Sequence, residues 1–361
     1  MARIPYDRRE VDEADVIPSA WPGFPDTKKF KTPVPARENY KLLYGKKELP
    51  HWIPISGDQG MFAPRIDADN IARAMVIETN RLTPEEMVGG KDKHGIEWEY
   101  VPVAGGSMVK PGNPTLLDAN DWEKVVPFPD VASWDWEGTV ANNLDTINNT
   151  NQSLMAWVQT GFFERLISLM DFDKAALAMI DEDQKDAVKA LFNRLADMYI
   201  EMVNGYVKYF NVSLFCLHDD WGSQRAPFFS LDTVMEMVVP YLSRVIDAVH
   251  KNGIYFDMHS CGKNELLVPA YIAAGADSWS GQPMNDKDMI YDKYGDKIIL
   301  GMELGAPLTM ESTDADYVAA AKAFIAKYGP NYDKKPVLCS AFVFNPIFTE
   351  TLYEESRKMF G

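Results

Sequence analysis

The sequence predicts an α/β fold, a single (β/α)8 TIM barrel spanning residues 1–361 with an irregular arm at 1–50 packed on it, and three observations carry that prediction. From about residue 155 onward, short apolar runs rich in Val, Ile and Phe alternate with longer stretches of helical period, the pattern of βα units that build a parallel sheet. Six such units can be counted, and one or two earlier candidates bring the number close to the eight of a barrel. No Gly/Ser linker or low-complexity tract divides the chain, and barrels of this kind run to ~250 residues or more as one domain.

The elements follow in order. Prolines 18, 22, 25, 33 and 35 make the opening an irregular wrap. A strand is expected at 52–56, a helix at 68–81 and a strand of undetermined sheet at 96–103. The barrel strands are expected at 155–159, 212–218, 253–259, 276–281, 297–303 and 336–341. Helices are expected at 173–210 (as two), 230–252, 264–274 and 314–328, with Gly253, Gly275 and Gly329 where C-terminal caps favour glycine.

Composition excludes several functions. A net charge of −17 argues against nucleic acid or an anionic membrane as partner, since both need clustered Lys and Arg. No apolar run approaches the ~18 residues of a membrane span, and residues 1–13 lack the apolar segment of a secretion signal, so a cytoplasmic location is expected. Three cysteines cannot form a disulfide framework, which favours metal binding or catalysis for a cysteine at a special position.

Two cysteines hold such positions. His259 and Cys261 close one strand run and Cys339 closes another. Side chains two apart on a strand share a side, so His259 and Cys261 can share an ion, with Cys339 as third ligand. One His and two Cys fit Zn²⁺ with an open fourth position, the arrangement of catalytic zinc. Polar residues also end other strands, namely Asp58, Gln59, Asp219, Asp220, Gln282 and Glu303, and barrel chemistry sits at that rim. Asp219, Asp220 and Glu303 are candidates for a catalytic role, either as fourth zinc ligand or on a substrate hydroxyl. Phe162, Phe163, Trp221, Gln224 and Gln282 are candidates for substrate contact. Cys216 lies mid-strand and reads as core. His51, His94 and His250 have no partners at ligand spacing and read as structural or surface residues. Asp257 to Gly262 fits D-x-H-x-x-G, a corrinoid-binding signature, but the Gly-Gly pairs at 89–90 and 105–106 lie upstream rather than downstream, which argues against a corrinoid held in this chain.

The chain resembles the uroporphyrinogen decarboxylase superfamily and, within it, the zinc-dependent corrinoid methyltransferases, including methyltransferase I of acetogenic aryl methyl ether demethylase systems. The segments that carry the resemblance are Arg37-Glu38-Asn39-Tyr40, Pro50-His51-Trp52-Ile53-Pro54, Thr160-Gly161-Phe162, Asp219-Asp220-Trp221-Gly222 and His259-Ser260-Cys261-Gly262. It continues through Ala274-Gly275-Ala276-Asp277, Tyr294-Gly295-Asp296-Lys297-Ile298 and Leu300-Gly301-Met302-Glu303. The family's metal motif, His-x-Cys with a distant Cys, is met by His259, Cys261 and Cys339. The Arg-Gln-Ala-Gly-Arg signature of the decarboxylase itself is missing, which moves the implied reaction from decarboxylation to methyl transfer.

The resemblance implies a barrel that docks a separate small corrinoid protein carrying cobalamin. It allows two directions of transfer, from an O-methyl donor of guaiacol or veratrole type to cob(I)alamin, or from methylcobalamin to a thiol of coenzyme M type. The first is the expectation here. The alternatives of another class are a metal-independent decarboxylase and a non-catalytic binding protein.

Overall fold

The computed structural model describes residues 3–17, 26–45, 48–104, 106–304, 308–309, 311–340 and 345–361. Pro18, Pro22, Pro25, Gly105 and Ala341 lie outside them. The chain forms two compact units, one of residues 61–149 and 154–285 and the other of 1–60, 150–153 and 286–361.

The first unit carries parallel strands β1 (Ser153–Val158, all but its first residue), β2 (Leu214–His218), β3 (Tyr255–His259) and β4 (Ser278–Trp279), neighbours in chain order. Every residue of β1 and β2 is buried, as expected where a parallel strand is covered on both faces. Between the strands run α1 (Phe162–Met170), α2 (Lys185–Phe210), α3 (Val239–Lys251) and α4 (Val268–Ala274). Buried positions 188, 191, 192, 195, 199, 202, 203, 206 and 210 of α2 repeat at helical spacing. The helix stops where Asn211 turns left-handed at φ 52°.

The run 276–281 yields only two strand residues, and 230–252 is two helices, Leu231–Met237 and α3. Residues 96–103 hold the central strand (Glu97–Val101) of a separate antiparallel sheet, between Gly89–Lys91 and Gly106–Val109. The helix expected at 68–81 covers only Ala68–Ala72. It ends because Ala74 adopts φ 54° and Ile77 pairs with Ala63. Beside it lies a charge cluster that neither periodicity nor composition announces: Arg165 bridges Asp69 and Asp92, and Lys93 pairs with Asp67, all buried.

The second unit holds α5 (Lys287–Tyr294), β5 (Ile299–Met302), α6 (Asp314–Tyr328), β6 (Val337–Cys339) and α7 (Pro346–Phe360), with β5 and β6 parallel. The strand expected at 52–56 is not formed. Pro54 has no N–H to give a ladder, and the Asp58 carboxylate takes the Ile55 N–H at 3.1 Å and the Trp52 indole N–H at 2.7 Å. The strand forms instead at Gln59–Phe62.

The arm is more regular than its prolines imply, with helices Arg9–Asp12 and Ala36–Gly45 and a two-stranded pairing of Asp15–Ile17 with Thr27–Lys29. It is tied down by charge. Buried Glu10 accepts from Arg357 at 2.8 and 2.9 Å and from the Tyr353 hydroxyl at 2.6 Å, while Arg357 also donates to the carbonyls of Ile4 and Pro5.

Candidate metal centre

The site is built from the C-terminal ends of β1, β2 and β3. In the parallel register of β2 and β3, His218 stands opposite His259. Their rings stack with centroids 4.9 Å apart and planes 18° apart, and the Trp157 ring at the end of β1 lies 5.0 Å from His259. Beyond β3 the chain turns, and Gly262 takes φ +94°, where an added Cβ would clash with the carbonyls of Gly222 and Ser223. A side chain at either strain or contact would push the two loops apart. The turn brings Cys261 Sγ to 3.4 Å from His259 Nε2. Asp220 is locked to the same turn, its Oδ1 accepting the Cys261 N–H at 2.6 Å.

Ligand atoms of His218, Asp220, His259 and Cys261 all lie within 4.8 Å of one another. Two imidazoles, a thiol and a carboxylate are donors that zinc accepts. His218 is oriented from behind: Glu164, in the first turn of α1, bonds its Nδ1 at 2.7 Å, which turns Nε2 toward the group. Glu164 in turn pairs with Arg73 at 3.2 Å, and the Arg73 guanidinium lies over the Trp98 ring at 4.9 Å. A carboxylate behind a ligating histidine is the usual outer support of a metal site.

The titration of these groups follows their surroundings. Burial opposes charge on Glu164, but Arg73 and His218 outweigh it and bring its pKa down to about 2. Burial likewise opposes a proton on His218, yet Glu164, the Cys261 hydrogen bond and Asp220 raise it to about 10. His259, buried and beside the charged His218, falls to about 3. These surroundings favour a proton on His218 and oppose one on His259, so a metal bound at His218 would compete with a proton.

The remaining sequence candidates fall in different places. Asp219 is buried, and its carboxylate accepts the N–H groups of Phe163 and Glu164 at 3.1 and 2.9 Å, capping α1 from another loop. Burial, with the Glu164 charge, raises its pKa to about 7. Phe162 and Phe163 have no exposed surface; Phe162 packs on Phe192 and Tyr199, and Phe163 on Phe228 and Phe229. Trp221 is buried against Tyr271. Gln282 accepts the Gly262 N–H at 2.7 Å and so braces the turn that carries Cys261. Gln224 is exposed on its loop. Cys216 is wholly buried in β2.

Glu303 and Cys339 belong to the other unit. Glu303 lies 3.8 Å from Lys287, whose pKa burial lowers to about 8 against the opposing pull of Glu303. Cys339 ends β6 and is buried. His51 and His94 are buried, and His250 bonds Asp277 at 2.8 Å on the surface. Asp257 of the D-x-H-x-x-G run is bonded to Ser278 inside the sheet.

Sequence reasoning missed His218 and Glu164. The signal for His218 was present, because it ends its strand as His259 ends the next. Glu164 gave none, since its role depends on how α1 sits over β2.

Parallel strands alternating with helices, with His, Cys and Asp side chains gathered at the strand ends of one unit, define a βα-repeat protein with a candidate metal site. The sequence pattern of the uroporphyrinogen decarboxylase (URO-D) family matches residues 92–332, and the chain belongs to that family and has its (β/α)8 fold. Among solved structures, a methyltransferase from Methanosarcina mazei is similar over 91% of this chain and 99% of its own, at TM-score 0.58 and 14% identity. At that identity the likeness carries the fold alone. A 2,3-dimethylmalate lyase of the PEP mutase/isocitrate lyase superfamily covers 62% of this chain and 64% of its own, at TM-score 0.28 and 14% identity. Among curated proteins none matches. No described helix is long and apolar enough to cross a membrane.

Proposed function

We propose that this protein is a zinc-dependent methyltransferase that moves a methyl group from an aryl methyl ether, of guaiacol or veratrole type, to the cob(I)alamin of a separate small corrinoid protein in the cytoplasm. The observation that carries the reading is the group of His218, Asp220, His259 and Cys261, all within 4.8 Å at the strand ends of one unit. Membership of the URO-D family and a fold shared with a protein described as a methyltransferase support it.

In this reading zinc is held by His259, Cys261 and Cys339, with His218 or Asp220 as a further ligand; Cys339 enters on the His-x-Cys and distant Cys pattern alone. Zinc would act as a Lewis acid on the ether oxygen, so that oxygen leaves with the bonding electron pair as a phenolate while the methyl carbon bonds cobalt. Glu164 holds the Nδ1 side of His218 and fixes which nitrogen faces the group. Asp220 holds the Cys261 backbone and keeps the thiol beside His259. Glu303 is proposed to bond a substrate hydroxyl, and exposed Gln224 to contact substrate from its loop. The corrinoid must arrive on another protein because in-line attack on the methyl carbon needs an open rim.

Elemental analysis of the purified chain, together with the spectrum of added cob(I)alamin and methoxyarenes, tests the reading. About one zinc per chain, lost in His259→Ala, and methylcobalamin formed only with a methoxyarene are expected. Demethylation of methylcobalamin by an added thiol, with no transfer from any methoxyarene, would reverse the direction. No metal would overturn the reading.

A further inference from the structure

The two imidazoles of the group are held in different ways. His218 has a carboxylate behind it, Glu164 on Nδ1 at 2.7 Å. His259 has no such support: among the described residues its ring makes one hydrogen bond, Nε2 with Cys261 Sγ at 3.4 Å, and nothing bonds its Nδ1. A ligating histidine usually gives its second ring N–H to a carboxylate or a carbonyl, which fixes the ring. At His259 that task falls to packing.

What packs on His259 is aromatic. Its ring centroid lies 4.9 Å from that of His218 and 5.0 Å from that of Trp157, and Trp157 also reaches His218 at 5.6 Å. In the parallel register Trp157 stands opposite Cys216, Cys216 opposite Asp257, and Asp257 opposite Ser278. That layer lies two residues before His218 and His259, so it faces the same side of the sheet. Trp157 is the one ring among the four and is only 6% exposed. Its Nε1 is buried without a hydrogen-bond partner among the described residues, so its contact with the group is made by the ring. A close-packed ring removes the space in which a neighbouring side chain could change rotamer. For His218 this adds to the hold of Glu164, whereas for His259 it takes the place of one.

We propose that Trp157 is the positioning residue of His259, fixing its imidazole by ring packing as Glu164 fixes His218 by hydrogen bonding. The effect on metal affinity rests on the reading of His259 as a zinc ligand, and the effect on the ring itself does not.

Two variants of the full chain test it, Trp157→Phe and Trp157→Leu. Carbon-13 relaxation at Cε1 of labelled histidine, in the metal-free chain, gives the order of each of the five imidazoles. Zinc affinity is read separately by competition with a chromogenic chelator. The order of the His259 ring is expected to fall from wild type to Phe to Leu, while the rings of His218, His51 and His94 keep theirs. Zinc should bind about tenfold more weakly in the Leu variant, the lower end of the loss seen when a ligand's outer support is removed. Phe removes the fewest contacts and decides the matter where Leu does not fold. Unchanged order at His259 in the folded Phe variant would overturn the proposal. So would an equal fall at every buried histidine, which a general loosening of the core produces, or full zinc affinity with a loosened His259. If the wild-type chain takes up no zinc, the methyl-transfer reading fails and relaxation alone decides: selective loosening of His259 upholds the positioning role, and its absence ends it.

Discussion

His218 and His259 stand opposite each other on adjacent parallel strands, their rings stacked 4.9 Å apart. Only one of them belongs to the His-x-Cys pattern, yet ligand atoms of both lie within 4.8 Å of those of Cys261 and Asp220. His218→Ala is therefore expected to lower bound zinc as His259→Ala does, read by elemental analysis after dialysis against a weak chelator. Full zinc retention in His218→Ala alone would restrict the ligand set to the residues of the sequence motif.

Glu164 bonds Nδ1 of His218 and is not itself one of the four grouped ligand residues. Replacing it with Gln keeps the shape and removes the charge that orients the imidazole. Zinc affinity should fall about 10- to 100-fold, the usual loss when an outer-shell partner of a ligating histidine is removed. Competition with a chromogenic chelator gives the constant, and unchanged affinity would mean that His218 is not a ligand.

Glu10 and Arg357 form a buried pair that fastens the N-terminal arm to α7, and the carbonyls of Ile4 and Pro5 converge on the same guanidinium. Glu10→Ala leaves Arg357 buried without its carboxylate, which costs about 3–5 kcal/mol in comparable pairs. Urea denaturation should show that loss, with faster proteolysis inside residues 1–50. A loss under about 1 kcal/mol would show that the backbone carbonyls alone satisfy Arg357.

The parallel strands and the His259–Cys261 pair were legible because both depend on local pattern: apolar runs of strand length, and a two-residue repeat that puts imidazole and thiol on one side. Val212 to His218 and Gly253 to His259 were placed to within two residues of β2 and β3. What failed depended on distant partners. Trp52 to Ser56 has strand composition, but Asp58 takes its donors, and the helix after Ala68 ends where Ile77 is needed by Ala63. Phe162, Phe163 and Trp221 were read as pocket walls because aromatic residues at a strand end suit either role, and only packing showed them to be core. His218 and Glu164 became visible as a pair only once α1 was seated over β2.

Asp58 makes stability depend on pH with a defined sign. Burial is the larger influence and raises its pKa to about 6, against hydrogen bonds from Trp52 and Ile55 that favour the ionised form. From about pH 4 to 6 the folded chain keeps a proton that the unfolded chain has released. The contribution is full below the unfolded value and is lost as pH rises through the folded one. The stability of the native chain relative to Asp58→Asn should therefore fall by up to about 3 kcal/mol over that interval. A gap that stays constant, measured by urea melts at several pH values, would show that Asp58 keeps an ordinary pKa.

Gly161 and Asp219 decide whether Asp219 serves packing or chemistry. A side chain on Gly161 would press on Cβ, Cγ and Oδ2 of Asp219, the last at 2.9 Å, while the Gly161 N–H donates to the His218 carbonyl at 2.7 Å. The Asp219 carboxylate in turn caps α1 through the N–H groups of Phe163 and Glu164. Gly161→Ala should thus cost about 1–3 kcal/mol by overpacking and displace Glu164 from His218, lowering zinc affinity along with stability. Asp219→Asn keeps one oxygen for the cap, so a structural role predicts a stability loss of about 1 kcal/mol with methyl-transfer rate per bound zinc unchanged. If the rate per zinc falls by more than about tenfold while zinc content and the denaturation midpoint hold, Asp219 takes part in the reaction itself and the capping role is secondary.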